Sequence, residues 1–224
     1  VTAQRLHIDV LADFICPWCY IGKRKLDQAL ALPREFEISL IWRPYQLDPS
    51  IPEDGVDYKT SMRQKFGPDA GKVIAEKINQ AADGTHLQFN FNQIERTPNT
   101  LRSHRLMIYA GQMGQQHKLA EALFAAYFEQ GRDIGDPTVL AEIAQACGLE
   151  QDASEAAVAS HQADDHIKAS NMNARESGVS GVPALILGGQ FMLMGAQEPE
   201  YLHRIFLKAH AKLATPEAQS GPNA

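Results

Sequence analysis

Apolar and polar positions alternate from the start of the chain. Leu6, Ile8, Val10 and Ala12 recur at period two through residues 6–13, which predicts a strand. Helical spacing follows through Ile21, Lys25, Leu26, Ala29 and Leu30, and Pro33 ends it. Phe36, Ile38, Leu40 and Trp42 then alternate again as a second strand, which Pro44 and Pro49 are expected to stop. Strand, helix and strand in close succession form the pattern of a βαβ unit, whose strands run parallel.

Beyond this unit the pattern changes. Residues 53–66 are polar and mixed, with breaks at Gly55 and Gly67-Pro68. Residues 69–82 predict a helix through Val73, Ile74, Ala75, Lys77 and Ile78, and Thr85 to Phe91 reads as extended or irregular. Thr97-Pro98-Asn99-Thr100 looks like a helix start before Leu101, Arg105, Ile108 and Tyr109. Further helices are predicted at 115–129, 136–147 and 161–177, with Asp136-Pro137 as N-cap and first helical residue and Gly178 as the stop. Strand patterning returns at Pro183–Leu187. Gly188-Gly189-Gln190 supplies a hairpin turn to Phe191–Met194, and a last helix fits 198–210. There is no internal repeat. The expected fold class is α/β, a thioredoxin fold (βαβ…ββα) with a large helical insertion between its halves. Residues 1–52 and 178–212 would form the thioredoxin-like domain, residues 53–177 the inserted helical domain, and residues 213–224 a disordered tail.

At 224 residues the chain can bury a core without disulfide staples. Its 21 basic and 27 acidic side chains give a net charge of −6, with no basic run longer than Lys23-Arg24-Lys25. Nucleic acid is therefore not an expected partner. No apolar run reaches membrane length, and the N-terminus lacks the basic-then-apolar signal pattern, so the expected setting is cytoplasmic and away from membranes. The chain begins with Val, which leaves a processed leader open, and the oligomeric state is open too.

Only three cysteines occur, Cys16, Cys19 and Cys147, too few for a disulfide framework. Cys16 and Cys19 sit directly after the first strand and at the head of the first helix. There, unsatisfied N–H groups carry partial positive charge and stabilise a thiolate. With Cys16 as N-cap, its sulfur can accept from the N–H of Trp18 or Cys19, and Pro17 at the first helical position loses nothing by lacking an N–H. Cys19 returns to the same helix face, so the pair can close a disulfide. A redox pair is the leading reading. Two buried structural cysteines are the bland alternative, and a zinc half-site is weaker because no second pair follows at ligand spacing; no metal is expected. Lys23, Arg24 and Lys25 read as a solvated helix face. Cys147 reads as buried packing, Asn99 and Thr100 as a helix N-cap region, and His104 as one turn further in, where it could face the pair.

These residues resemble the DsbA-like thioredoxin superfamily, and most closely its FrnE-like branch. The resemblance runs through Asp13-Phe14-Ile15-Cys16-Pro17-Trp18-Cys19-Tyr20-Ile21-Gly22-Lys23, Trp42 to Pro49, Asn99-Thr100, Ala126-Tyr127-Phe128, Gly178 to Pro183 and Gly195-Ala196-Gln197. It implies a dithiol–disulfide oxidoreductase acting on a disulfide- or thiol-containing protein or small molecule. It also implies that Val182-Pro183 is a cis-proline loop facing the cysteines and binding an extended substrate segment. In that reading Cys16 is the nucleophile and Cys19 resolves the mixed disulfide. Pro17 and Trp18 tune the redox poise, and Asp13 relays the proton of Cys19 or else caps the turn. No bound cofactor is implied beyond the Cys16–Cys19 disulfide itself, with glutathione a candidate co-substrate. Kappa-class glutathione transferases and 2-hydroxychromene-2-carboxylate isomerases share the architecture. They usually carry Ser where Cys16 stands and a carboxylate after the last strand, where this chain has Gly195-Ala196-Gln197. A glutathione-dependent isomerase or transferase is the alternative, and a non-catalytic thioredoxin-like binding module is a third.

Overall fold

The structure is a computed structural model, which describes residues 5–67 and 70–214. Of the expected tail at 213–224, Leu213 is instead the last residue of the final helix and Ala214 its C-cap, and the stretch from Thr215 onward lies outside the described residues. Strand β1 (Leu6–Ala12) leads into helix α1 (Pro17–Ala31) and strand β2 (Ile38–Pro44). β1 and β2 pair in parallel with Leu6 opposite Ile38 and Ala12 opposite Pro44, as the βαβ pattern requires. β2 ends at Pro44, the first of the two prolines expected to stop it. Proline is tolerated there because it is the strand's last residue and β2 is an edge strand.

The chain continues through β3 (Val56–Asp57), α2 (Tyr58–Phe66), α3 (Ala70–Ala81), β4 (Arg96–Thr97), α4 (Leu101–Gln112), α5 (Gln116–Phe128), α6 (Pro137–Ala146), α7 (Gln151–Ala159) and α8 (Asp164–Glu176). β5 (Ala184–Leu187), β6 (Phe191–Met194) and α9 (Pro199–Leu213) close it. The main sheet has the order β2-β1-β5-β6, so strands from both ends of the chain meet at β1, and β5 runs antiparallel to it. The mixed α/β fold with a central sheet and helices between its halves agrees with the expected class.

Period two sorts the sheet faces. Leu6, Ile8 and Val10 are buried in one core with Cys19 and Leu26 of α1, Leu185 and Leu187 of β5 and Phe206 of α9. On the opposite side of β1 and β2, His7 meets Ser39 and Asp9 binds Arg43 at 2.7 Å, a polar cross-strand ladder. The free edge of β2 is covered by a side chain. Gln116 accepts from the Trp42 N–H at 2.9 Å and donates to the Trp42 carbonyl at 3.2 Å, as a neighbouring strand would.

Three stretches differ from expectation. The polar run at 53–66 contains α2, which buries no residue and is started by Asp57 accepting from the Thr60 N–H. An apolar stripe is what sequence periodicity detects, and α2 has none to show. α7 was not expected either; the Glu150 carboxylate caps it through the Asp152 and Ala153 N–H groups. The predicted 161–177 helix begins only at Asp164, after a 3₁₀ turn at His161–Ala163. Among the described residues no helix is long and apolar enough to cross a membrane.

Candidate active site

β1 ends at Ala12, and a turn closed by the Cys16 N–H donating to the Asp13 carbonyl (3.0 Å) delivers the chain to α1. Cys16 is the N-cap in an extended conformation (φ −97°, ψ 111°), and Pro17 is the first helical residue, as expected. The expected sulfur cap is not formed: the Cys16 side chain makes no bond to the helix N–H groups. Its thiol instead donates to the Val182 carbonyl across the site, at 3.5 Å. A protonated sulfur seeks an acceptor, and the facing loop supplies one. Both thiols are free in this structure, and Cys16 is the more exposed of two buried residues, at 5% against 1% for Cys19.

The loop that faces Cys16 carries a cis Val182-Pro183 peptide bond. Its position is held from two sides. The Gly195 N–H donates to the Pro183 carbonyl at 2.8 Å, which ties the loop to the end of β6. On the other side Gly22 of α1 lies so close that an added Cβ would stand 2.8 Å from Cγ of Pro183. Gly22 thus has a packing reason to be glycine, which the motif alone did not disclose. Gly195 has φ +80°, in the region glycine favours.

Cys19 lies one turn inside, behind a cavity of only about 10 Å³ lined by Gly22, Lys23, Pro183 and Gln197. That is room for one water at most. Burial pushes the Cys19 thiol well above its ordinary value, and the neighbouring Cys16 sulfur pushes it further. The negative charge of Asp13 acts in the same direction, while a backbone hydrogen bond at Asp13 opposes it.

Asp13 is wholly buried. Its Oδ2 accepts from the Leu47 N–H at 2.7 Å, fastening the chain beyond β2 to the end of β1. Its Oδ1 has no partner and stands 3.8 Å from Nε2 of His104, which is equally buried and equally unpartnered. His104 is held by ring contact with Phe14, which also meets Phe124. The Asp13 carboxylate therefore ties the segment after β2 to the end of β1 and keeps a second oxygen free, while the turn itself is closed by its backbone carbonyl. His104 faces that free oxygen.

The basic run corrects the solvated-face expectation. Lys23 is 5% exposed and held by Asp27 and Glu121, each at 2.7 Å, while Lys25 binds Glu198 at 2.5 Å. Only Arg24 is substantially open, and it too binds Glu121. Burial alone would raise the Asp27 carboxyl, but hydrogen bonds from His117 and Lys23 hold it below its ordinary value. Amphipathic stems let lysines lie within a packed face when carboxylates meet their heads. Trp18 is 41% exposed beside the cysteines, and Cys147 is buried at the end of α6 with its thiol raised by burial. Thr100 is the N-cap of α4 but its side chain makes no cap bond; Asn99 serves the first turn instead, its Oδ1 accepting from the Leu101 N–H and its amide donating to the Ile51 carbonyl. Among the described residues no cluster of three or more His, Cys, Asp or Glu gathers to hold a metal.

The family model of the DSBA-like thioredoxin domain matches residues 7–206. YwbO of Bacillus subtilis (strain 168), an uncharacterized protein, is 24% identical over 184 residues, covering 82% of this chain and 87% of its own. Among solved structures, a probable DsbA oxidoreductase from Streptomyces coelicolor aligns with TM-score 0.82 and 24% identity, over 98% of this chain and 93% of its own. A 2-hydroxychromene-2-carboxylate isomerase aligns with TM-score 0.62 and 16% identity, over 96% of this chain and 100% of its own. Likeness at these identities is likeness of fold.

Proposed function

The chain belongs to the DSBA-like thioredoxin family, and from that premise we propose that it is a thiol–disulfide oxidoreductase with Cys16 as nucleophile and Cys19 as resolving thiol. The observation that carries this reading is the placement of Cys16 at the head of α1, 3.5 Å from the Val182 carbonyl, with a second, more deeply buried thiol one turn behind. The Cys16 thiolate attacks one sulfur of a substrate disulfide, joins it as a mixed disulfide and expels the other sulfur as a thiolate. Cys19 then gives up its proton and attacks Cys16 Sγ. The Cys16–Cys19 bond forms, the mixed disulfide breaks, and its electron pair leaves on the substrate thiolate. Run backward, the oxidised pair donates its disulfide.

The other site residues take roles consistent with this chemistry. The Val182-Pro183 loop offers its backbone to an extended substrate segment beside Cys16. Pro17 and Trp18 set which groups and how much water reach the sulfur, and exposed Trp18 gives substrate an apolar surface. Asp13 takes the proton of Cys19, which burial otherwise holds in place. No further bound cofactor is required. The proposed setting is cytosolic, where a reducing poise keeps the pair as thiols and favours reduction of substrate disulfides, with glutathione as a source of electrons.

The likeness in fold to the isomerase supports a second reading, in which one sulfur serves a bound glutathione and Cys19 is dispensable. Cys16→Ser and Cys19→Ser variants, assayed for insulin-disulfide reduction and for glutathione-conjugate formation, separate the two. The expected result is loss of disulfide turnover in both variants, with the mixed disulfide trapped in Cys19→Ser. Full turnover without Cys19 would overturn the proposal, and conjugate formation retained in Cys19→Ser would favour the isomerase reading. Turnover absent in the native protein would favour a binding module.

A further inference from the structure

Proton transfer from Cys19 needs a group that can accept a proton and keep it where water scarcely reaches. Asp13 offers one oxygen for this, since its Oδ2 is committed to the Leu47 N–H. The free Oδ1 faces Nε2 of His104 at 3.8 Å, and neither atom has a protein partner. Hydrogen-bond distance is shorter by a little under an ångström, a gap that a small rotation of either side chain closes. Each of these buried atoms has lost its hydration, and the nearest group of complementary character for either is the other.

The surroundings leave the pair no competitor. His104 is the only basic side chain within 4.0 Å of the Asp13 carboxylate among the described residues. From α1 the titratable groups near Asp13 are Cys16 and Cys19, and from α5 Tyr127, whose hydroxyl donates to the Arg96 carbonyl. Beyond β2 only the Leu47 N–H is engaged, and from α8 Asn171 and Arg175 bond the Gln46 carbonyl. Arg105, next to His104, is turned toward Asp164 and Val158. The Phe14 ring on one side fixes the imidazole.

We propose that His104 is the positioning residue of proton transfer at this site: its Nε2 shares with Asp13 Oδ1 the proton released by Cys19, so that the two side chains act as one acceptor. In the resolving step the Cys19 S–H bond breaks, the proton passes to the Asp13–His104 pair, and the Cys19 sulfur forms its bond to Cys16. The substrate sulfur departs with the electron pair of the broken disulfide. In the reverse direction the pair returns the proton to Cys19. His104 touches no reacting atom; it acts through Asp13. The inference rests on the thiol–disulfide reading above.

Dithiobis-nitrobenzoate resolves the two steps, because each released nitrothiolate absorbs visibly. Attack by Cys16 gives a first, concentration-dependent phase, and closure by Cys19 gives a second, unimolecular one. His104→Gln is expected to leave the first phase unchanged and to slow the second by ~10–100-fold near neutral pH. Its second-phase rate should rise steadily with pH as hydroxide takes over, where the native protein levels off. Asp13→Asn, which keeps an acceptor for the Leu47 N–H, should behave alike, and the double variant should be no slower than either single one. A native second-phase profile in His104→Gln would overturn the proposal. If that variant does not fold, the nitrogen resonances of His104 in the native protein decide: they should titrate differently in the dithiol and disulfide forms, and identical titrations would overturn it. Absence of any first phase, or a first phase that persists in Cys16→Ser, would instead overturn the redox reading and the pair's role with it.

Discussion

At Gly22 the absence of a side chain has two consequences that pull in opposite directions. Alanine there would favour the helix by about 1 kcal/mol, but its Cβ would meet the rigid Pro183 ring at 2.8 Å. Overpacking of this kind costs typically about 1–3 kcal/mol, so the net change in stability for Gly22→Ala should be small, under ~2 kcal/mol. Activity should change far more, because the loop that must yield is the one bearing Val182 opposite Cys16. The denaturation midpoint and the disulfide-exchange rate of Gly22→Ala should therefore part company; a native rate would show that the close approach is incidental. This residue-scale argument also marks the limit of the sequence. The Cys16–Cys19 pair is legible because its residue types, spacing and strand-to-helix setting all point to one chemistry. The contacts of Gly22 with Pro183 and of Asp13 with His104 join residues far apart in the chain, and no local spacing encodes them.

The elements divide by what they bury. β1, α1, β2, α9 and the β5–β6 hairpin each present an apolar face to the core, and each was readable from period two or period 3.6. α2 and α7 were not, since α2 buries no residue and α7 buries only Ser154 and Val158, too few to make a stripe. The seam between α4 and α8 depends on a charge instead. Arg105, on α4, is buried and donates to both oxygens of Asp164 at the head of α8, to the Val158 carbonyl and to His161. Asp164→Ala leaves that guanidinium without its carboxylate and should cost about 3 kcal/mol, the lower end for a broken buried pair because two other acceptors remain. Hydrogen bonds from Arg105 hold the Asp164 carboxyl below its ordinary 3.8 despite partial burial. Because the folded value is the lower one, folding favours the ionised carboxylate. The contribution is complete above the ordinary value and is lost as pH falls through the folded one. Urea midpoints of native protein and Asp164→Asn should thus differ at neutral pH and converge in acid. A difference that persists unchanged at the lowest pH would show that charge is not its source.

For the molecule as a whole, the decisive feature is that the core does not stop at the boundary between the sheet and the helices inserted into it. Leu6, Ile8 and Val10 of the sheet lie in the same buried cluster as Leu106, Leu119, Leu123 and Phe124 of α4 and α5. Phe124 is the hinge of this continuity: its ring lies 5.0 Å from Phe14, 5.2 Å from Tyr20 and 6.4 Å from Trp42. The helical block thus builds one wall of the candidate site, where Phe124 meets Phe14 and Phe14 meets His104. Two apolar surfaces that bury each other cannot be exposed separately at low cost, so the chain should unfold in one transition. Phe124→Ala should destabilise it by about 3–5 kcal/mol and move every probe together. Far-UV dichroism, dominated by the helices, and fluorescence of buried Trp42, read in a Trp18→Phe background, should keep coincident midpoints as both fall. Alkylation of Cys147, buried in the helical block, should become rapid over the same denaturant range. A helical signal lost before Trp42 responds would mean that the block unfolds by itself, and the site wall with it.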